Sequence, residues 1–314
     1  MYQRILLLAC GELPEPWQLN KIRRLTQGTD SRVRIALFGL TNPVLSHFFA
    51  TDPHVESLQA ALTQNLETQM EPLLEPYGEF NTQFEIINQP LCEQSLAEAI
   101  ARFGPDLIIK RCRRHHRLDQ YLLGHMDWSL IRQAEVPVLL LRPSPWPESP
   151  RIVAAIDPLH AHQQPPGLDL AVVAGADRLA QRIDATTELL HVYQPLPMAV
   201  VVDDALMLDY SKLQRRMKGE HQQAMVQFIE QHCADAPSFN GLETLLKGET
   251  VHEIATYCQR RSIAIIALGS AHHQGLHRLF VGGTTEELIE QAAGDLLVIP
   301  TPHSPLFAGN TGAV

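Results

Sequence analysis

A chain of 314 residues exceeds what one hydrophobic core usually sustains, and 45% apolar against 19% charged residues is the balance of a folded globular protein, not a disordered or fibrous one. With 25 Lys and Arg against 35 Asp and Glu, the formal charge of -10 repels nucleic-acid phosphates and anionic lipid, so neither nucleic acid nor a membrane is an expected partner. No apolar run approaches the roughly 18 residues that a membrane-spanning helix needs.

In chain order, the N-terminal run Met1 to Trp17 has too short an apolar stretch for a signal peptide and predicts a first strand near Ile5–Leu8. Further strands are expected near Val33–Phe38, Phe84–Ile87, Leu107–Ile109 and Val138–Leu141, separated by helices near 16–27, 54–76, 93–103 and 126–134. The segment Pro143 to Pro150 then places four prolines in eight residues, which ends any helix or central strand and marks a linker. Beyond it the pattern starts again. Strands are expected near Ile152–Ile156, Glu188–Val192, Glu243–Leu246, Ala264–Leu268 and Leu296–Ile299, with helices near 168–183, 210–233, 249–260 and 284–293.

Short apolar strands alternating with helices imply right-handed parallel crossovers. The predicted fold class is therefore α/β, with two tandem doubly wound domains, each a five-stranded parallel sheet covered by helices on both faces. The expected boundaries are domain 1 over 1–142, the linker over 143–150, domain 2 over 151–301 and a flexible Pro- and Gly-containing tail over 302–314. A shift of 158 positions supports a duplication: it lays Leu107-Ile108-Ile109 on Ile265-Ile266-Ala267, His115 on His273, Gly124 on Gly282 and Gln133-Ala134 on Gln291-Ala292.

The five cysteines are widely spaced and form no Cys-x-x-Cys pair, which fits reduced thiols and a cytoplasmic location. In an open parallel sheet, ligands bind beyond the carboxyl ends of the strands. In the second half, Asp157 ends the first strand and could accept hydrogen bonds from a ribose hydroxyl or an adenine amine. The fourth strand runs into Gly269-Ser270-Ala271-His272-His273-Gln274-Gly275, then Gly282-Gly283-Thr284-Thr285 opens a helix. Glycines permit backbone approach to phosphate, and a helix N-terminus attracts anions. The plainer reading is that Thr284 or Thr285 merely caps the helix.

These residues carry a family resemblance. Arg151 to Asp157, Leu189-Leu190-His191-Val192-Tyr193, Lys247-Gly248-Glu249 and the Gly269 to Thr284 loop make the chain similar to the universal stress protein family, in its tandem E-type form. The resemblance implies an adenine nucleotide alpha hydrolase-like fold and binding of ATP, with Mg²⁺ accompanying the nucleotide. It assigns Asp157 to the nucleoside, Val192 to the neighbourhood of the adenine, and Gly269, Gly282, Gly283 and Thr284 to the phosphates, with His272, His273 and Gly275 inside the same loop. The family pattern is glycine, two residues, glycine, nine residues, glycine and a hydroxyl. Here the second glycine is His272 and the hydroxyl has slipped by one position.

The first half departs further, with Cys10 in the place of Asp157 and Arg111 and Arg114 in the places of two motif glycines. Backbone approach to phosphate is not expected there. Its basic loop offers Lys110, Arg111, Arg114 and His115 as an anion site of another kind, the alternative being arginines paired with acidic neighbours. Cys10, Cys112, His115, His116 and His125 are zinc-ligand types without a dedicated spacing, so a zinc site is disfavoured. No nucleophile and base pair is apparent, and any ATP hydrolysis is expected to be slow. The reading is a ligand-sensing stress protein acting as a homodimer or as an internal pair of domains. The alternatives are a scaffold with a vestigial site, or a binder of another anion through the first domain.

Overall fold

The computed structural model describes residues 2–38, 53–78, 81–89, 92–112, 127, 129–131, 134–159, 167–196, 204–270 and 283–301. The chain divides into two compact units, Met1–Trp146 and Pro147–Val314.

In the first unit the strands are β1 (Arg4–Cys10), β2 (Arg32–Phe38), β3 (Asn81–Ile87), β4 (Leu107–Arg111) and β5 (Val138–Leu141). The helices are α1 (Pro16–Thr26), α2 (Pro53–Leu74, followed by a 3-10 turn at Glu75–Tyr77) and α3 (Glu93–Phe103). The strands lie in the order β3-β2-β1-β4-β5, all parallel. Apolar runs mark β1, β4 and β5: Ile5, Leu6, Leu7, Leu107, Ile108, Ile109, Leu139 and Leu140 are fully buried, as strands covered on both faces must be. The amphipathic α1 lays Leu19, Ile22 and Leu25 against the core. The helix expected over 126–134 falls largely outside the described residues, of which Asp127 and Ser129 to Ile131 are helical.

The second unit repeats the arrangement with β6 (Arg151–Ala155), α4 (Leu168–Ile183), β7 (Thr186–Tyr193), α5 (Asp204–His232), β8 (Phe239–Lys247), α6 (Thr250–Arg261), β9 (Ile265–Ser270), α7 (Gly283–Gln291) and β10 (Asp295–Pro300). Its strand order is β10-β9-β6-β7-β8, again parallel. Helix ends are closed by specific chemistry. Glu249 accepts hydrogen bonds from the backbone N–H groups of Val251 and His252 at 3.0 and 2.7 Å, satisfying two donors that open α6. Asp184 and Ser262 end α4 and α6 in the left-handed region at φ 53° and 51°.

Two boundaries differ from the sequence expectation. β8 extends over nine residues, where only Glu243–Leu246 shows an apolar pattern, because the register to β7 continues past it to Phe239 despite an irregularity between Thr187 and Leu189. As the outermost strand of its unit, β8 needs little apolar sequence to be a strand. α5 begins at Asp204, ahead of the expected 210. The Pro-rich segment also holds one firm anchor. Trp146 lies 5.2 Å from the Lys21 ammonium, which is 5.4 Å from Trp17 on its other side and donates to the Arg142 carbonyl at 2.9 Å.

Strand order fixes where a ligand could enter. In each unit the chain leaves the first strand toward one side and returns on the other, so the first and fourth strands, β1 with β4 and β6 with β9, flank the point where the order reverses.

Candidate functional site

In the second unit, β6 and β9 pair as far as Ala154 opposite Ala267, with Asp157 two residues past the end of β6 and Ser270 the last residue of β9. Asp157 is 7% exposed and Ser270 1% exposed. Both carboxylate oxygens of Asp157 and the hydroxyl of Ser270 are buried without a hydrogen-bond partner. Two carboxylate oxygens and one hydroxyl without partners therefore stand at the carboxyl ends of the two strands. A buried polar group in this condition costs on the order of 1–3 kcal/mol, more when charged.

The backbone there is firmly held. The Asp157 N–H donates to Asp169 Oδ1 at 3.1 Å, in the first turn of α4, and the Ile156 N–H donates to the Leu190 carbonyl at 3.0 Å. Across the strand ends, Thr285 Oγ1 donates to the Gly269 carbonyl at 3.3 Å and Thr301 Oγ1 to that of Ser270 at 2.9 Å. Thr285 thus ties the first turn of α7 to the end of β9. Gly269 has a packing reason to be glycine: a Cβ there would lie 2.6 Å from Leu168 Cγ and Cδ2.

Beside Asp157 is an aromatic cluster. His191, on β7 and 2% exposed, faces the Ile156 carbonyl through Nδ1 at 3.0 Å and His221 Nδ1 through Nε2 at 2.8 Å. Tyr193 stacks on His221 with centroids 4.8 Å apart. Burial holds the His221 imidazole below its ordinary pKa, outweighing the opposing pull of the Asp157 and Glu220 carboxylates.

The sequence-named residues therefore divide. Asp157 stands at the reversal point, Gly269 ends β9 beside it, and Gly283 and Thr284 open α7. Val192 is half-buried on β7, and strand alternation turns it to the face opposite His191 and Tyr193. His272, His273, Gly275 and Gly282 lie outside the described residues. Ser270, His191 and Tyr193 entered the sequence reading only as members of motifs, with no site role of their own, and His221 was not singled out. His191 and His221 are 30 positions apart and share no motif.

In the first unit, the basic loop resolves differently. Lys110 forms an ion pair with Asp127, the two side chains being 11% and 2% exposed. Arg111 pairs with Glu15 and approaches Glu12 at 3.7 Å. Burial alone would lower the Lys110 pKa, but the Asp127 carboxylate, aided by Cys10 and Cys112, reverses the shift and raises it. These two cations are thus matched by carboxylates of their own unit, while Arg114, His115, His116 and His125 lie outside the described residues. Among the described residues no group of three or more His, Cys, Asp or Glu side chains is placed to hold a metal ion, and no helix is long and apolar enough to cross a membrane.

Comparison with known proteins gives a consistent answer. A family model described as "Universal stress protein family" matches residues 51–142 and again 149–300. Universal stress protein E of Escherichia coli K12 is 25% identical over 213 residues, covering 68% of this chain and 65% of its own length. The chain thus spans just under two thirds of that relative. Among solved structures, a functionally unknown protein from Pseudomonas aeruginosa PAO1 superposes with a TM-score of 0.66 at 18% identity, covering 96% of this chain and 93% of its own. A universal stress protein from Archaeoglobus fulgidus gives 0.60 at 14% identity, covering 94% and 98%. At these identities the two structures speak to the fold alone.

Proposed function

Since the chain belongs to the universal stress protein family, with the family's domain present twice in succession, we propose that it is a cytoplasmic ligand-sensing stress protein whose second unit binds an adenine nucleotide, ATP, together with Mg²⁺. One observation carries this reading. The Asp157 carboxylate is buried at the strand-order reversal with both oxygens unpartnered, and the Ser270 hydroxyl that ends β9 is unpartnered as well. Ribose hydroxyls would supply the missing donors, and the energetic cost of the empty arrangement would be recovered on binding. The N-terminus of α7 at Gly283 is anchored to the end of β9 through Thr285, and a helix N-terminus is suited to receive phosphate.

The first unit is not a second copy of this site. Cys10 and Cys112 occupy the positions of Asp157 and Ser270, and Lys110 is engaged by Asp127. The role in this reading is sensing, with any ATP hydrolysis slow and incidental.

Isothermal titration of the full chain with Mg²⁺-ATP tests the proposal. A saturable heat is expected, weakened about tenfold or more in Asp157→Ala, a loss of about 1.4 kcal/mol or greater. No saturable heat at millimolar nucleotide, or an undiminished signal in the variant, would overturn it in favour of a scaffold with a vestigial site.

A further inference from the structure

Where the second unit buries a carboxylate and a hydroxyl, the first holds two sulfur atoms. β1 and β4 pair as far as Leu8 opposite Lys110, and Cys10 and Cys112 each stand two residues further along their own segments. Each cysteine stays in extended pairing with its outer neighbour. Cys10 is opposite Phe38 of β2, and the Cys112 N–H donates to the Leu141 carbonyl at 2.7 Å. Paired parallel strands such as β1 and β4 at Leu8 and Lys110 run about 4.8 Å apart, so closing a disulfide two residues further on asks for little movement of the strand ends. Both thiols are reduced.

Lys110 ties the two together. Alternation along β4 puts its side chain on the same face as Cys112, and its ammonium is electrostatically coupled to both sulfurs while Asp127 keeps it charged. Cys10 is half-exposed and lines an open crevice together with Lys110, Leu13, Pro14 and Gln18. Cys112 is only 3% exposed. One thiol is thus reachable from solvent beside the Lys110 ammonium, and the other is buried; a cation beside a cysteine is the setting in which thiols become reactive.

We propose that Cys10 and Cys112 are a peroxide-reactive dithiol, with Cys10 the attacking thiolate and Cys112 the thiol that resolves it into a disulfide joining β1 to β4. The Cys10 thiolate attacks one peroxide oxygen, the O–O bond breaks, and the departing hydroxide takes a proton to become water, leaving a sulfenic acid. The Cys112 thiolate then attacks the Cys10 sulfur, the S–O bond breaks, and a second water leaves. Two thiols lose two electrons and two protons in all, and one peroxide is reduced to two waters.

The test uses the full chain carrying Cys92→Ser. Cys92 is exposed, and hydrogen bonds from Ser95 hold its thiol below the ordinary range, so it would compete for oxidant. Treatment with one molar equivalent of hydrogen peroxide should remove two hydrogens from the intact mass and give a cross-linked Cys10–Cys112 peptide. Adding Cys112→Ser should leave a sulfenic acid that dimedone traps at Cys10, and adding Cys10→Ser should abolish both products. Removing both charges of the neighbouring pair, with Lys110→Met and Asp127→Leu, should slow trapping at Cys10 about tenfold while circular dichroism reports an intact fold. Unmodified Cys10, oxidation mapped to other positions, or an unchanged trapping rate in the charge-free variant would overturn the proposal.

Discussion

His191 Nε2 and His221 Nδ1 lie 2.8 Å apart, and because His191 Nδ1 already faces the Ile156 carbonyl at 3.0 Å, one proton arrangement serves both contacts. A carbonyl oxygen only accepts, so His191 carries its proton on Nδ1. His191 is 2% exposed, which disfavours a second proton, so its Nε2 accepts from His221. His221 is left with a lone pair on Nε2, close enough to Asp157 for the two to interact.

This arrangement gives the protein a pH dependence with a definite sign. Burial depresses the His221 pKa in the folded state, whereas the unfolded chain takes up the proton near its ordinary value of about 6.5. Between those two values the unfolded state binds more protons, so stability is complete above about pH 7 and declines as pH falls through 6.5. Urea midpoints between pH 7.5 and 5.5 should fall for the wild type and fall less for His221→Phe. Asp157→Asn should lower the His221 pKa further in an NMR titration, since it removes a carboxylate that favours the imidazolium.

Asp157 should trade stability for binding. Replacing it with Ala removes a buried charge without partners, and the apo protein should unfold at the same temperature or about 2–4 °C higher. Mg²⁺-ATP at one fixed concentration should raise the melting temperature of the wild type and raise that of the variant less. A variant that melts lower when empty would mean the carboxylate is structural.

Lys110 and Asp127 should behave as a coupled pair. Lys110→Met alone leaves the Asp127 carboxylate, 2% exposed, without its cation, and a loss of about 3–5 kcal/mol is expected. Adding Asp127→Leu should restore most of it, because an apolar pair of similar size needs no counter-charge. Chemical denaturation of the two single variants and the double closes the cycle.

Gly269 should resist even a methyl group. Its Cβ would stand 2.6 Å from Leu168, a fully buried side chain, so Gly269→Ala should cost about 1–3 kcal/mol through overpacking. In a Leu168→Ala background the same substitution should be nearly neutral, as measured by urea unfolding. An equal cost in both backgrounds would place the constraint elsewhere.

Most of the architecture is legible in the sequence. Runs such as Leu107-Ile108-Ile109 and Val138 to Leu141 are apolar without alternation, which only strands covered on both faces require, and their spacing by helices dictates parallel crossovers. Asp157 was legible too, since a charged residue at the end of such a run must lie at the ligand edge of the sheet. The extent of β8 was hidden because an outer strand is specified by its neighbour's backbone and not by its own apolar residues. Only the tertiary structure put Asp157 and Ser270 at the ends of neighbouring strands, set Cys10 and Cys112 around Lys110, paired Lys110 with Asp127 and joined His191 to His221. Each partner lies on another element, set opposite by strand register or crossover packing, and no local periodicity encodes a contact between segments so far apart in the chain.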